Sequence, residues 1–94
     1  MLIIAGHLQV EPIERDGYLA ECVAVVEAAR AGPGCLDFSL TADLIEPGRI
    51  SVFERWESEE DLMAFRGSGP DAGQQARILK AEVSRYRISA VEAP

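Results

Sequence analysis

The stretch ISVFERWESEEDL at residues 50–62, together with CLDFSLTA at 35–42 before it, decides the fold of this chain. Apolar and polar residues alternate in both segments, which is typical of half-buried strands, and the Pro-Gly pair at 47–48 indicates a chain reversal between them. The later segment leads directly into a helix start, where Ser58 is a suitable N-cap followed by three acidic residues. Trp56, the only tryptophan, lies at this junction, where we expect a pocket between sheet and helices.

The two segments are predicted as strands at 35–42 and 49–56, and the pattern extends along the chain on both sides of them. Residues 2–10 alternate and predict a first strand, and residues 14–31 repeat apolar side chains at helical spacing. A second helix is expected to begin after Ser58 and to stop near Gly67. A third helical segment is predicted at 71–80 and a fourth strand at 82–91. The order β-α-β-β-α-(α)-β predicts a split βαβ, ferredoxin-like antiparallel sheet of the α+β class.

A sheet of this kind carries its helices on one face, so its other face must be polar or covered. If the alternate residues Leu2, Ile4, Val52 and Trp56 face the helices, the opposite face is lined by Ile3, Ala5, Ser51 and Phe53. An apolar uncovered sheet face on a small domain indicates a partner. We therefore expect a homodimer that forms through this sheet face.

Composition limits the possible functions. The chain has 94 residues and a net charge of −7, so we expect one domain, 1–94, that binds neither nucleic acid nor an anionic membrane. No run of 18 apolar residues is present, and the start of the chain lacks the basic segment of a signal peptide. We also find no cluster of residues with metal-ligand spacing.

The chain has two cysteines, Cys22 and Cys35. They do not form a C-x-x-C motif, and two cysteines are too few for a disulfide framework. Both lie among apolar neighbours, so buried thiols are expected rather than a bridge or a nucleophile. This use of cysteine predicts a reducing, cytoplasmic setting.

The alternating first strand, PGCL at 33–36 and FERWESEEDL at 53–62 resemble the antibiotic biosynthesis monooxygenase family of dimeric α+β barrels. The resemblance covers nearly the whole chain, and the Glu-x-Trp-Glu-Ser sequence at 54–58 is its most specific part. It implies that two copies of the ferredoxin-like sheet form a dimeric α/β barrel. The family includes quinol and anthrone monooxygenases, haem-degrading enzymes and members without established chemistry.

The resemblance implies a cofactor-free oxygenase that oxidises a quinol- or anthrone-like aromatic with dioxygen. The substrate would supply the electrons, while the protein deprotonates or holds it, excludes water and stabilises the developing negative charge. Two alternatives remain open. One is a non-catalytic dimer of the same fold that binds a small aromatic molecule, and the other is a haem-binding protein without degradation chemistry.

Much of the family's polar set is replaced in this sequence. The junction tryptophan corresponds to Trp56, but the asparagine that the anthrone-oxidising branch has four residues earlier is Val52, and its helix tyrosine is Leu62. The arginine of that branch falls near Ala76, with Arg77 one position away. Quinol-type members often carry histidines after the junction, and the corresponding stretch here has none.

The haem-degrading branch uses an asparagine, a tryptophan and a histidine. By spacing, these positions are Gly6, Phe65 and Gln75 in this sequence. Without the histidine ligand, haem degradation by that mechanism is not expected.

Two residues are predicted to be catalytic, Glu54 and Arg77. Glu54 shares a strand face with Trp56, and a buried carboxylate there would have a raised pKa and could act as a base. The alternative for Glu54 is a structural ion pair with Arg85 or Arg87. Arg77 could bind an enolate or phenolate oxygen, and its alternative is an ordinary surface charge.

The predicted substrate-binding residues are Trp56, Val52, Gly6, Leu62, Phe65 and Tyr86. Trp56 could stack on an aromatic substrate, or it could simply fill the core at the strand end. A glycine at position 6 leaves room beside the indole, unless it serves to accommodate a helix. His7 is the only histidine, and its strand parity predicts a place at the partner interface; with the opposite parity it would be the leading candidate base.

Overall fold

The computed structural model describes residues 1–67 and 76–94. Its elements are β1 (Leu2–Gln9), a short 3-10 helix (Pro12–Glu14), α1 (Arg15–Ala31), β2 (Cys35–Ala42), β3 (Arg49–Trp56), α2 (Glu59–Arg66) and β4 (Lys80–Arg87). The four strands form one antiparallel sheet in the order β2-β3-β1-β4. This is the ferredoxin-like α+β arrangement that the sequence predicts. Among the described residues, no helix is both long and apolar enough to cross a membrane.

The helix-facing side of the sheet is set by the pairing of the two central strands. Leu2 lies opposite Trp56 and Gly6 lies opposite Val52, which places these residues on one face. Leu2, Val52 and Trp56 are buried, as expected for the side that packs against the helices. The predicted parity is therefore confirmed.

The opposite face of the sheet carries Ile3 and Ala5 of β1 and Ser51 and Phe53 of β3, with Ala5 directly opposite Phe53. Neither helix covers this face, and the Phe53 side chain retains 36% of its surface. This face is called the open sheet face below.

Two hydrophobic clusters hold the helices on the sheet. The first contains Leu2, Ile4, Ala29, Phe38, Trp56 and Leu62, and the second contains Val10, Tyr18, Cys22 and Ile50. The first joins both helices to one end of the sheet, and the second joins the first half of α1 to the other end.

The start of α2 follows the predicted capping pattern. The Ser58 hydroxyl accepts a hydrogen bond from the backbone N–H of Asp61 at 3.2 Å and donates one to the Asp61 carboxylate at 2.9 Å. Ser58 itself has extended backbone angles, as an N-cap residue requires. The cap fixes both the direction of α2 and the position of the Asp61 side chain.

Strand β4 differs from its predicted bounds of 82–91, because it begins two residues earlier and ends at Arg87. The pairing partner causes the shift: the Leu79 N–H donates to the carbonyl of Gln9 at 2.7 Å, and the ladder with β1 starts at Lys80. The predicted third helical segment, 71–80, lies outside the described residues up to 75. Its final residues leave the helix after Ala76, so that part of the prediction is wrong.

Candidate functional site

A cavity of about 490 Å³ opens between α1, α2 and the turn that follows α1. Its lining residues are Ala24, Val25, Ala28, Gly32, Pro33, Trp56, Asp61, Ala64 and Phe65. Pockets for small organic molecules have volumes of roughly 300–1,000 Å³ and mostly apolar walls. In size and lining, the cavity fits a ligand with two or three fused rings.

Trp56 and Phe65 form the aromatic part of the cavity wall. Their ring centroids are 5.4 Å apart with the planes tilted by 30°, and Phe65 also meets Phe38 edge-on at 5.5 Å. Such offset and edge-on pairs are favourable aromatic arrangements. The indole itself has no exposed surface, so it fills the core at the strand end, and Phe65 presents the aromatic surface to the cavity.

Glu54 lies directly behind the indole. The Trp56 Nε1–H donates to Glu54 Oε1 at 3.0 Å, and the strand neighbours of Glu54 are the apolar residues Ile4 and Phe38. Burial raises the pKa of the Glu54 carboxyl, while the indole hydrogen bond and the charge of Arg66 act in the opposite direction. The carboxylate does not line the cavity itself; it reaches the site through the tryptophan.

The predicted ion pair of Glu54 with Arg85 or Arg87 is wrong. Arg85 and Arg87 instead bind Glu59 at the start of α2, at 2.6 and 3.1 Å. Glu54 accepts its hydrogen bond from the indole N–H two residues further along the same strand. The two arginines bind a carboxylate on α2 instead.

Arg77 lies away from Glu54. It forms an ion pair with Glu21, and its guanidinium carbon stands 5.2 Å from the centre of the Tyr18 ring. Tyr18 belongs to the second hydrophobic cluster. Trp56, whose indole N–H donates a hydrogen bond to Glu54, belongs to the first. The structure thus brings only one of the two predicted catalytic residues to the cavity region.

Of the predicted substrate-binding residues, the structure brings Trp56 and Phe65 together in the cavity wall. Leu62 is fully buried beside Trp56 in the first cluster, and Val52 is buried further along β3. Tyr86 pairs with Ile3 on the open sheet face and is 52% exposed, so it points away from the helices.

Gly6 serves the backbone of the sheet. Its φ angle is +152°, and a Cβ atom at this position would collide with the carbonyl oxygen of Glu82 on β4. The glycine allows the close approach of β1 and β4. The suggestion that it accommodates a helix is wrong, because the neighbour is a strand.

His7 lies on the open sheet face, as its parity predicts. Its Nε2 is 3.3 Å from a Glu82 carboxylate oxygen, and Lys80 binds the other oxygen at 3.1 Å. These contacts, led by the Lys80 hydrogen bond, lower the pKa of Glu82. The placement separates His7 from the cavity on the helix side.

Asp61 is a cavity residue that the sequence analysis did not single out. It was part of an acidic run at the start of α2, where carboxylates are normally explained by the positive end of the helix. The small residues of the wall, such as Ala24 and Ala28, carry no chemical signal in a sequence. Only their four-residue spacing on α1 could have indicated a shared groove.

Both thiols are free: Cys22 is buried and Cys35 is partly buried. Burial raises the pKa of each. Within residues 1–67 and 76–94, no group of three or more His, Cys, Asp or Glu side chains is arranged to hold a metal ion.

Comparisons with solved structures find the same fold in proteins with low sequence identity. A Deinococcus radiodurans protein named as a candidate antibiotic biosynthesis monooxygenase has a TM-score of 0.85 at 19% identity, covering 100% of this chain and 98% of its own. A similarly named Chloroflexus aurantiacus protein has a TM-score of 0.77 at 26% identity, with 98% and 96% covered. A conserved protein of Methanosarcina mazei has a TM-score of 0.79 at 20% identity, with 92% and 90% covered.

Comparisons of sequence give one curated relative and a family. An uncharacterized Synechocystis protein is 28% identical over 61 residues, which are 65% of this chain. The match spans only 42% of that protein's length. The sequence model described as "Antibiotic biosynthesis monooxygenase" matches residues 1–78. With this match over most of its length and the fold described above, the chain belongs to the antibiotic biosynthesis monooxygenase family.

Proposed function

We propose that this protein is a cofactor-independent monooxygenase that oxidises a quinol- or anthrone-like aromatic with dioxygen. One observation carries the proposal: an apolar cavity is backed by a fully buried indole, and that indole donates a hydrogen bond to a partly buried carboxylate of raised pKa. A planar aromatic can pack against the Phe65 ring that lies beside the buried indole. A carboxylate with a raised pKa is a suitable proton acceptor. Membership of the family supports a monooxygenase-like role in general.

For an anthrone, the electrons balance within one substrate molecule. Glu54 takes a proton from the methylene carbon, and the resulting enolate reduces dioxygen and forms a carbon–oxygen bond with it. Glu54 returns its proton to the peroxide anion, and the hydroperoxide then loses water as the O–O bond and the remaining C–H bond break. The methylene has become a carbonyl and has supplied all four electrons that reduce dioxygen.

The protein contributes position and environment to this reaction. The indole engages Oε1 of Glu54, so Oε2 is the oxygen that would take the proton. Because Glu54 does not line the cavity and the indole is fully buried, the reaction requires the aromatic wall to shift so that the acidic group of the substrate meets the carboxylate. The mostly apolar wall offers water few hydrogen-bonding partners beside the substrate, which prolongs the life of the carbanion.

We also propose that the active form is a homodimer that associates through the open sheet face. Ile3, Phe53 and Tyr86 give this face an apolar patch that a second copy could bury, beside polar residues such as Arg55 and Ser84. The two free thiols support the proposal of a reducing, cytoplasmic setting.

Consumption of dioxygen tests the proposed reaction. With an anthrone or a menadiol as substrate and a chelator present, the protein should accelerate oxygen uptake above the spontaneous rate. Glu54→Gln should lower the enzymatic rate by about 100-fold or more, because it removes the base. Trp56→Phe should also lower it, and the exposed neighbour Glu57→Gln should leave it unchanged.

Two results would contradict the oxygenase. Oxygen uptake that equals the spontaneous rate across a panel of quinols and anthrones, with binding of those aromatics retained, would favour the non-catalytic binding protein. A Soret band of fixed stoichiometry on haem titration would favour the haem-binding alternative.

A further inference from the structure

The cavity wall is uneven in charge. Of its nine lining residues, which all lie within the described ranges, eight are uncharged and Asp61 is the exception. A carboxylate in a mostly apolar wall is the group that acts most strongly on a charge placed against that wall. The ligand's own charge is therefore the property that this wall is best suited to distinguish.

The Asp61 carboxylate is held in place from two sides. Its Oδ2 accepts a hydrogen bond from the Ser58 hydroxyl at 2.9 Å, and the Asp61 backbone N–H donates to Ser58 Oγ at 3.2 Å. On the other side it packs against the backbone of Gly34, where an added Cβ atom would collide with it. Because Gly34 has a φ of +76°, this close packing depends on glycine. A carboxylate fixed in this way cannot turn aside from a ligand at little cost.

We infer that Asp61 sets the charge selectivity of the cavity, which admits uncharged hydroxylated aromatics and excludes aromatics that carry a carboxylate. The inference rests on the proposed function and adds a specificity residue to it. Asp61 accepts a hydrogen bond from the ligand's hydroxyl and repels an anionic substituent. A hydroxyl that donates to a carboxylate also makes its ring richer in electrons, which favours oxidation by dioxygen.

Binding of 2-naphthol and 2-naphthoate at pH 7 tests this selectivity. The two molecules have similar size, but only the second is negatively charged. Titration is followed by calorimetry and by the single indole N–H resonance, which reports on Trp56 in the cavity wall. The wild-type protein should bind 2-naphthol at least about tenfold more tightly than 2-naphthoate.

Two variants separate the local effect from the overall charge. Asp61→Asn keeps an oxygen acceptor for Ser58 and should reduce the preference to within about threefold, because the repulsion is gone. Glu60→Gln changes the net charge equally on the same helical turn, but residue 60 does not line the cavity. It should leave the preference unchanged.

The outcomes distinguish this inference from the proposed oxygenase. Equal binding of the two probes by the wild type, or equal effects of both variants, would overturn the role of Asp61 even if oxygen uptake is observed. Selective binding that Asp61→Asn abolishes would support it even if no oxygen is consumed. Failure of both probes to shift the indole resonance would overturn the site itself, and with it both proposals.

Discussion

Glu54 is the residue at which stability and proposed chemistry conflict. Burial raises the pKa of its carboxyl, so the folded chain holds this proton more tightly than the unfolded chain does. Stability must therefore fall as pH rises from the ordinary carboxyl pKa through the raised value, and the loss persists at neutral pH. The indole hydrogen bond offsets part of this cost.

Glu54→Gln should consequently be at least as stable as the wild type at pH 8. Glutamine can still accept the Trp56 N–H through its amide oxygen, and it carries no charge to bury. The advantage over the wild type should shrink at pH 4, where the wild-type carboxyl is protonated. Thermal unfolding of both proteins at the two pH values measures this, and a variant that loses the same stability at both would contradict it.

The residue scale also shows where sequence information is sufficient and where it fails. The placement of Trp56 and Glu54 on one strand face followed from alternation alone. The partner of Glu54 did not, because an indole N–H two residues away and an arginine two strands away are equally compatible with that parity. Asp61 was missed because its role depends on α1 and the Gly34 turn, which are distant in sequence.

The elements follow from local patterns wherever both ends are fixed by turn chemistry. Strands β2 and β3 have their predicted bounds, since the glycines before β2, the hairpin turn between the strands and the Ser58 cap limit them. Strand β4 was misplaced because its start is decided by pairing with β1, a contact that no local pattern encodes. The register of β4 is fixed by its neighbour β1, which β4 approaches closely at Gly6.

Replacement of Gly6 by alanine should destabilise the protein, by roughly 1–3 kcal/mol from the backbone conformation alone. The added methyl group would also push against the β4 backbone at Glu82. Gly17→Ala is the matched control, because it lies within α1 and an added Cβ meets nothing within 4 Å. It should stabilise the protein by about 0.5–1 kcal/mol.

Urea unfolding of the wild type and both variants gives these free energies. A Gly6→Ala protein as stable as Gly17→Ala would show that β1 and β4 can separate without cost. The description of Gly6 as a requirement of the sheet would then be wrong.

At the scale of the whole molecule, the open sheet face is a partly apolar surface that neither helix covers. It carries the partly exposed rings of Phe53 and Tyr86 beside the His7–Glu82 pair. The sequence predicted this surface because its alternation is apolar on both sides of β1. It could not show what covers the surface, because alternation describes the pattern of one chain alone.

Phe53→Glu should therefore convert a dimer into a monomer, because a buried unpaired carboxylate opposes association. Leu44→Glu is the control, since Leu44 is 97% exposed in the loop between β2 and β3 and lies off the sheet face. Light scattering after gel filtration should give the dimer mass for the wild type and Leu44→Glu, and the monomer mass for Phe53→Glu. A monomeric wild type at micromolar concentration would contradict the proposed association.

The strand order has a consequence for misassembly. Strands β2 and β4 lie at the two margins of the sheet, where unsatisfied backbone groups could template further chains into fibres. β4 presents Lys80, Glu82, Arg85 and Arg87 along its length, and the register of β2 is interrupted between Cys35 and Asp37. Charges and bulges are the devices by which natural sheets resist lateral growth. Copies of this chain should therefore meet face to face, and amyloid-like stacking from the native state should be suppressed.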